Sequence, residues 1–398
     1  MIISFECYLR HPADSLLTLQ TPRPLVMLVK LPLIFRVFFW AGLLLATERG
    51  MSAASAERPF LVGADVSALA MFEAHQAVYR NDIKPADALG ILRAEGFNCF
   101  RLRLFVEPDH QGVVTNDLDY TLRLAKRVKA SGAVLLLDIH YSDTWADPEK
   151  QFKPAAWRNL PFEELKSQVR SYTCAVLKRF AAEGVKPDYV QLGNEITNGL
   201  LWPEGRVEFA QAGDHAAWER LGALLRSAYD GLADAFPREP RPVTILHIES
   251  PQQPDRAVWF CREAVAANVP FDMIGMSYYP EWHGTITQLA QTLTKLAQEF
   301  RKPIVVAETA YPWTTDEHWI GLSQMTWPLT PDGQRRFLRD VLAVVRALPN
   351  GLGRGVIYWH PESVQVADMP VWLGGSCALF DRKGRVLPAA SFARDASQ

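Results

Sequence analysis

Cysteine is scarce in this chain, with five in 398 residues. None forms a CxxC pair or falls at metal-ligand spacing. Cys7 lies in an N-terminal leader, Cys99 in a strand-like run, and Cys174 and Cys261 in helix-like runs. Buried thiols are therefore expected rather than a disulfide framework. An excess of either charge is also missing, with 42 Lys and Arg against 44 Asp and Glu. Without a basic stripe, nucleic acid is excluded as a partner class. No Gly-rich loop follows the first strand-like run, which leaves a doubly wound nucleotide-binding sheet without its phosphate site. The chain has no Pro/Ser-rich linker, no domain-sized repeat and no low-complexity tail, so one domain is expected after the leader.

Long apolar stretches are confined to the N-terminus. A basic segment, Met27–Arg36, precedes the apolar run Val37–Ala46 and the small residues Ser52-Ala-Ala-Ser-Ala56. That order is the layout of a secretory signal peptide, and the apolar run is too short to span a bilayer comfortably. We expect residues 1–56 to be a leader and residues 57–398 the folded domain, secreted or periplasmic and free of the membrane once the leader is removed. Residues 1–26 fit no signal pattern, which makes Met27 the alternative start. An uncleaved anchor is the competing reading.

What the chain has in quantity is apolar residues, 48% of the total, enough for a large core. Strand-like runs span Phe60–Ser67, Cys99–Phe105, Ala133–His140, Tyr189–Glu195, Pro242–Glu249, Asp272–Pro280, Pro303–Thr309 and Gly355–Pro361. Most are short continuous apolar runs, as expected for parallel strands covered on both faces. Amphipathic stretches lie between them: Leu118–Ser131, Phe162–Glu183, His215–Phe236, Pro254–Asn268, Thr285–Phe300 and Thr330–Leu348. Gly96, Gly132 and Gly184 each fall where a helix should end and a strand begin. Eight strands with helices between them specify an α/β fold, a single-domain (β/α)8 TIM barrel.

The strand ends carry the chemistry. Strand one ends on Asp65, strand two on Arg101 and Arg103, and strand three on Asp138 and His140. Strand four ends on Asn194 and Glu195, strand five on His247 and Glu249, strand six on Tyr278 and Tyr279. Strand seven ends on Glu308, and strand eight on Trp359 and His360. The carboxyl ends of barrel strands are where active sites are assembled. Buried ionisable groups are costly unless paired, so such a ring suits catalysis better than packing. Two carboxyl groups, Glu195 and Glu308, facing across that rim are the minimum equipment for splitting a glycosidic bond. His140 and His247 read as polar supports rather than metal ligands, because no ligand spacing accompanies them. The segment Tyr141–Leu160 is too polar and aromatic for the core and is expected to shape a cleft. Trp157 and Trp218 read as packing residues.

Several motifs resemble the endo-β-1,4-galactanases of glycoside hydrolase family 53. They are Gly63-Ala-Asp-Val-Ser67, Arg101-Leu-Arg103, His140-Tyr-Ser-Asp-Thr-Trp-Ala-Asp-Pro148, Gln191-Leu-Gly-Asn-Glu195, Gly199-Leu-Leu-Trp-Pro-Glu-Gly205 and Glu308-Thr-Ala-Tyr-Pro-Trp313. The resemblance covers about Gly63 to Trp313. It implies a retaining, endo-acting hydrolase of β-1,4-galactosidic bonds in the (arabino)galactan side chains of pectin, working as a monomer on a polysaccharide. Glu195 matches the acid/base and Glu308 the nucleophile. Asn194 matches the residue that binds the sugar 2-hydroxyl. Arg101, with Arg103 on the same barrel-facing side as the alternative, is expected to lower the pKa of Glu308 and so hold it ionised, and Tyr278 or Tyr279 to donate to it. Asp65, Asp143, Trp145, Asp147, Trp202, Trp313 and Trp359 are the expected substrate contacts, Trp359 as the sugar platform. Two alternatives are a barrel of the same clan that acts on another β-linked polysaccharide, and a non-catalytic carbohydrate-binding barrel.

The likeness thins after Trp313. The family pattern Trp-Glu-Pro at strand eight is replaced by Trp359-His360-Pro361, and Gly374–Phe380 stands where a Trp-Glu-Asn-like segment is usual. The loop Trp313–Leu329 lacks an oxygen-rich calcium pattern, so no cofactor is expected and a structural calcium has no support in the sequence.

Overall fold

Eight apolar runs become strands because their β-branched and aliphatic side chains need cover on both faces. They are β1 (Leu61–Asp65), β2 (Cys99–Leu104), β3 (Val134–Ile139), β4 (Tyr189–Leu192), β5 (Val243–Ile248), β6 (Met273–Tyr278), β7 (Ile304–Thr309) and β8 (Gly353–Trp359). All neighbours pair in parallel and β1 pairs with both β2 and β8, which closes the sheet into a barrel. The structure, a computed structural model, describes residues 59–396 apart from 82–83, 212, 239, 316–318, 320–321 and 323–324. The expected leader lies outside the described residues.

Helices Leu118–Ala130, Phe162–Ala182, His215–Ala235, Pro254–Ala266, Ile286–Phe300 and Pro331–Arg346 stand within about two residues of the sequence expectation. Their starts are set by side chains that accept otherwise orphaned backbone N–H groups. Asp117, Asp214 and Thr330 each cap one, and Thr285 with Gln288 forms a capping box. The expected exits hold too: Gly96, Gly132 and Gly184 all have positive φ. At Gly96 a side chain is excluded twice over, because a Cβ would meet the backbone of Ala393 and Arg394 at 2.9 Å.

Alternation along the strands fills the barrel lumen in layers. Leu61, Cys99, Leu136, Tyr189, Ile245, Met273, Val305 and Ile357 pack together as one apolar layer. Truncating a large member to Ala should cost on the order of 2–5 kcal/mol. One inward step further along, the lumen turns polar: Arg101, Asp138, Gln191 and His247 are all fully buried. The apolar layer is thus the floor on which the polar groups sit. Cys99, Cys174 and Cys261 are free thiols, and Cys99, Cys261 and Cys377 are buried.

β7 breaks the alternation. Val305 and Ala307 both face the lumen layer, so strict alternation would turn Glu308 outward. The register shifts here against both neighbours: Val306 lies opposite Met276 and Glu308 opposite Ser277, while Thr309 lies opposite Tyr358. This bulge re-aims Glu308 inward, a known use of bulges beside functional sites.

Candidate active site

Sharp corners after the strands bring consecutive residues to one rim. Tyr141, Glu195, Ser250 and His360, each just past a strand, all have positive φ. Glu195 sits at φ 47° and ψ 51°, a left-handed conformation costly for a side chain with a Cβ. Its cost is met by surrounding bonds. Gln151, reaching over from the loop after β3, donates to the Asn194 carbonyl at 2.8 Å.

Arg101 organises the floor of the site. Its guanidinium is completely buried, yet Nη1 lies 2.7 Å from Asp65, and Nη2 lies 2.9 Å from Asp138 and 2.8 Å from Glu308 Oε1. Nε donates to Gln191 at 2.7 Å and Nη2 to Asn194 Oδ1 at 2.8 Å. One cation is thus shared among three carboxyl groups. Asn194 is fixed from its other end as well, donating from Nδ2 to the Ala146 carbonyl at 2.9 Å. Arg103 does not share this role: it reaches His360 Nε2 at 3.2 Å and lies 4.3 Å from the centre of the Trp145 ring. Arg101, not Arg103, is the partner of Glu308.

Glu308 is held from its second oxygen by Tyr279, which donates at 2.9 Å. Glu195 is held differently. Its backbone N–H points at His247 Nδ1 at 3.4 Å, and His247 Nε2 lies 2.9 Å from Ser277 Oγ. His140 accepts the Ala146 N–H at Nδ1, 3.2 Å away, and turns Nε2 to Asp138 at 2.9 Å. Both imidazoles therefore act as braces with both nitrogens engaged by protein groups.

Glu195 and Glu308 line one open cleft of about 630 Å3, together with Asn194, Trp145, Asp147 and Trp359. Tyr279, Trp282 and Trp372 complete its aromatic rim. A second hollow of about 460 Å3 adjoins it and shares Trp145, Trp359 and Trp372.

The electrostatics separate the two glutamates. Burial raises the pKa of Glu195 well above the usual carboxylate range, and the charge of Glu308 adds to the rise. Burial also raises Glu308, to about 7, although Arg101 opposes it; Asp138 and Asp65 push the same way as burial. Arg101 does lower the pKa of Glu308, as expected, but burial outweighs it, so Arg101 alone does not hold the carboxyl ionised. Arg101 spends its charge on three acids, and Asp138 takes the larger share. Burial opposes the ionisation of Asp138, but Arg101 and His140 overcome it and hold this carboxyl down at about 2. Glu195 has no cation of its own, so a proton shared by the pair rests on Glu195.

Other sequence expectations are corrected by position. Tyr278 points away from the lumen, donating to the Gly284 carbonyl and stacking on Phe337. Asp65 is sealed beneath the cleft by Arg101 and the Ser67 N–H. Asp143 ties its own loop to the one after β2, accepting from Ala155 N and Glu107 N. Trp202 donates to the Asn198 carbonyl under the Arg206 guanidinium, and Trp313 anchors the strand-eight loop through the Gly375 carbonyl. Neither lines the cleft. Trp157 and Trp218 are buried, as packing residues should be. Sequence reasoning missed Gln191, Ser277, Trp282 and Trp372. The first two had a signal, since each is a polar residue inside an otherwise apolar strand. The two tryptophans lie in single helical turns, Pro280–His283 and Trp372–Gly375, too short to show a periodicity.

Comparison with known proteins agrees with this geometry. A family model described as glycosyl hydrolase family 53 matches residues 61–393, so the likeness continues well past Trp313. An uncharacterised protein of Niallia circulans is 39% identical over 84% of this chain and 93% of its own length. The arabinogalactan endo-beta-1,4-galactanase of Cellvibrio japonicus (strain Ueda107) is 34% identical over 84% of this chain and 90% of its own. Among solved structures, the Ignisphaera aggregans GH53 catalytic domain superposes with a TM-score of 0.78 at 32% identity, covering 85% of this chain and 97% of that domain.

Proposed function

The chain belongs to glycosyl hydrolase family 53, and from that membership we propose that it is an endo-β-1,4-galactanase in which Glu195 is the acid/base and Glu308 the nucleophile. The observation that carries the roles is the asymmetry of the pair. Both carboxyls face one cleft, yet only Glu308 is gripped by Arg101 and Tyr279. A group that must attack as an anion needs those donors, whereas one that must deliver a proton needs burial and a negative neighbour.

The reaction follows in two halves. Glu195 gives its proton to the glycosidic oxygen as that oxygen leaves C1, and a Glu308 oxygen bonds C1. Glu195, now a carboxylate, takes a proton from water as the water oxygen attacks C1 and the bond to Glu308 breaks. This double displacement retains the anomeric configuration and requires the two carboxyls roughly 5–5.5 Å apart.

The groove also speaks for the substrate class. Trp145, Trp282, Trp359 and Trp372 offer faces on which a sugar ring stacks, and Trp282 is half exposed at the mouth. Asp147, Glu149 and Glu249 line the same cleft. Acidic acceptors suit a neutral chain rich in hydroxyl donors and disfavour a polyuronate. One chain supplies every catalytic group, consistent with a monomer. No helix among the described residues is long and apolar enough to cross a membrane. Export rests on the leader pattern, and the absence of a cofactor on a reaction that needs only carboxyl groups.

Incubation with linear β-1,4-galactan tests this reading. Mixed short galacto-oligosaccharides should appear within the first few per cent of conversion. Release of galactose alone would contradict endo action, and an untouched galactan with cleavage of another β-glycan would change the substrate.

A further inference from the structure

The double displacement needs the Glu195 carboxyl at one place for two opposite proton transfers. Yet Glu195 stands at φ 47° and ψ 51°, a conformation that a residue with a Cβ adopts reluctantly. The groups that oppose relaxation of this turn lie in the loop after β3. Side-chain amides stitch that loop to the turn. Asn194 Nδ2 donates to the Ala146 carbonyl at 2.9 Å, and Asn198 Nδ2 to the Pro148 carbonyl at 2.8 Å. Gln151 grips in the opposite direction. Its Nε2 donates to the Asn194 carbonyl at 2.8 Å and lies 3.2 Å from the Asp147 carbonyl and 3.4 Å from the Glu195 carbonyl. Its own carbonyl accepts the Trp202 N–H at 2.6 Å.

Three carbonyls around one nitrogen dictate the side chain that belongs there. An amide NH2 donates, whereas a carboxylate of the same shape would set an acceptor against acceptors. Gln151 is 1% exposed, so solvent does not stand in for it. The two carbonyls it reaches in the turn belong to the peptide groups on either side of the Glu195 Cα. Each peptide group is a rigid plane, so holding both planes holds the φ and ψ of Glu195 between them.

We propose that Gln151 is a positioning residue for the acid/base: it clamps the two peptide planes that flank Glu195 and so keeps the left-handed turn that aims its carboxyl into the cleft. The inference rests on the proposed function for the role of Glu195. Gln151 itself is not among the residues that line the cleft, and it moves no proton. Its loop sends Trp145, Asp147 and Glu149 into the cleft, so the clamp also ties the acid/base to a wall that meets the substrate.

The test is Gln151→Met, which keeps the length of the side chain but has no donor, with Gln151→Ala as a second variant. On a β-1,4-galacto-oligosaccharide, whose leaving sugar must be protonated, kcat/KM should fall about 10–100-fold, the cost of misplacing a reacting group by about 1 Å. On an aryl galacto-oligosaccharide whose acidic phenol leaves without a proton, kcat/KM should change by less than about threefold. A residue that serves the fold alone would lower both together. On the same aryl substrate kcat is limited by water attack with Glu195 as base, and it should fall about tenfold. In a Glu195→Gln background that base is already gone, so adding Gln151→Met should lower kcat no further. Equal losses of kcat/KM on the two substrates, no loss on either, or a further tenfold fall in the Glu195→Gln background would overturn the proposal. If the wild type proves to cleave a different β-glycan, oligosaccharides and aryl glycosides of that glycan serve in the same comparison, so the two readings fail separately.

Discussion

Glu308→Gln is expected to lower kcat on β-1,4-galactan by about 10^4–10^6-fold, the range found when a catalytic nucleophile is removed. The amide keeps the shape of the carboxyl and its contact with Tyr279, so the cleft should remain intact. Binding of a galacto-oligosaccharide should therefore stay within about threefold of wild type, since the ground-state contacts persist while the transition-state bond does not. Calorimetric titration beside steady-state rates checks both halves. A variant that binds and still turns over would remove Glu308 from the role. Loss of binding together with turnover would point instead to collapse of the floor around Arg101.

Arg101→Met should be the most damaging single change to the fold near the site. It removes the cation from three carboxyls at once, Asp65, Asp138 and Glu308, all within 2.9 Å of it. Breaking a buried pair by deleting one partner costs about 3–5 kcal/mol, because the remaining charge has no solvent to turn to. The sign of its pH dependence follows from Asp138. Its folded pKa, about 2, lies below its ordinary value of 3.8, so the stability it contributes is present above roughly pH 4 and is lost as pH falls toward 2. Without Arg101 this contribution disappears, so the deficit of the variant should be full at pH 4 and above and narrow by pH 2. Denaturant midpoints at the two pH values measure it. An equal deficit at both would mean that packing rather than charge holds Arg101 in place.

The barrel was legible because its signals are local. Short apolar runs, helix caps such as Thr285 with Gln288, and exits such as Gly132 depend on neighbours a few residues away. The catalytic pair was legible because each glutamate closes a strand. Three features were not legible, for one common reason. The bulge that turns Glu308 inward is a register choice between β7 and its neighbours, invisible in β7 alone. Asp65 looks like a rim residue until Arg101, 36 positions on, seals it. Trp313 looks like a substrate contact until the Gly375 carbonyl, 62 positions away, takes its indole N–H. The direction of the Glu308 pKa likewise depended on burial, which outweighs Arg101 and which only three-dimensional neighbours decide.

The replacement of Trp-Glu-Pro by Trp359-His360-Pro361 has a structural answer. His360 accepts from Arg103 through Nε2 and lies 3.6 Å from the buried carboxyl of Glu362. A carboxyl two residues on thus stands behind an imidazole at the place where the family pattern has a carboxylate. Burial raises Glu362 to about 8, so this arrangement supplies a polar support for Arg103 and its two tryptophan neighbours rather than a full charge.

The double displacement through Glu308 is tested most directly by the configuration of the first product. Proton NMR of β-1,4-galacto-oligosaccharide hydrolysis, followed from the first minute, should show the β-anomer of the new reducing end appearing first, with the α-anomer growing only as the sugar mutarotates. An α-anomer formed first would mean inversion, with water rather than Glu308 attacking C1, and would contradict the account.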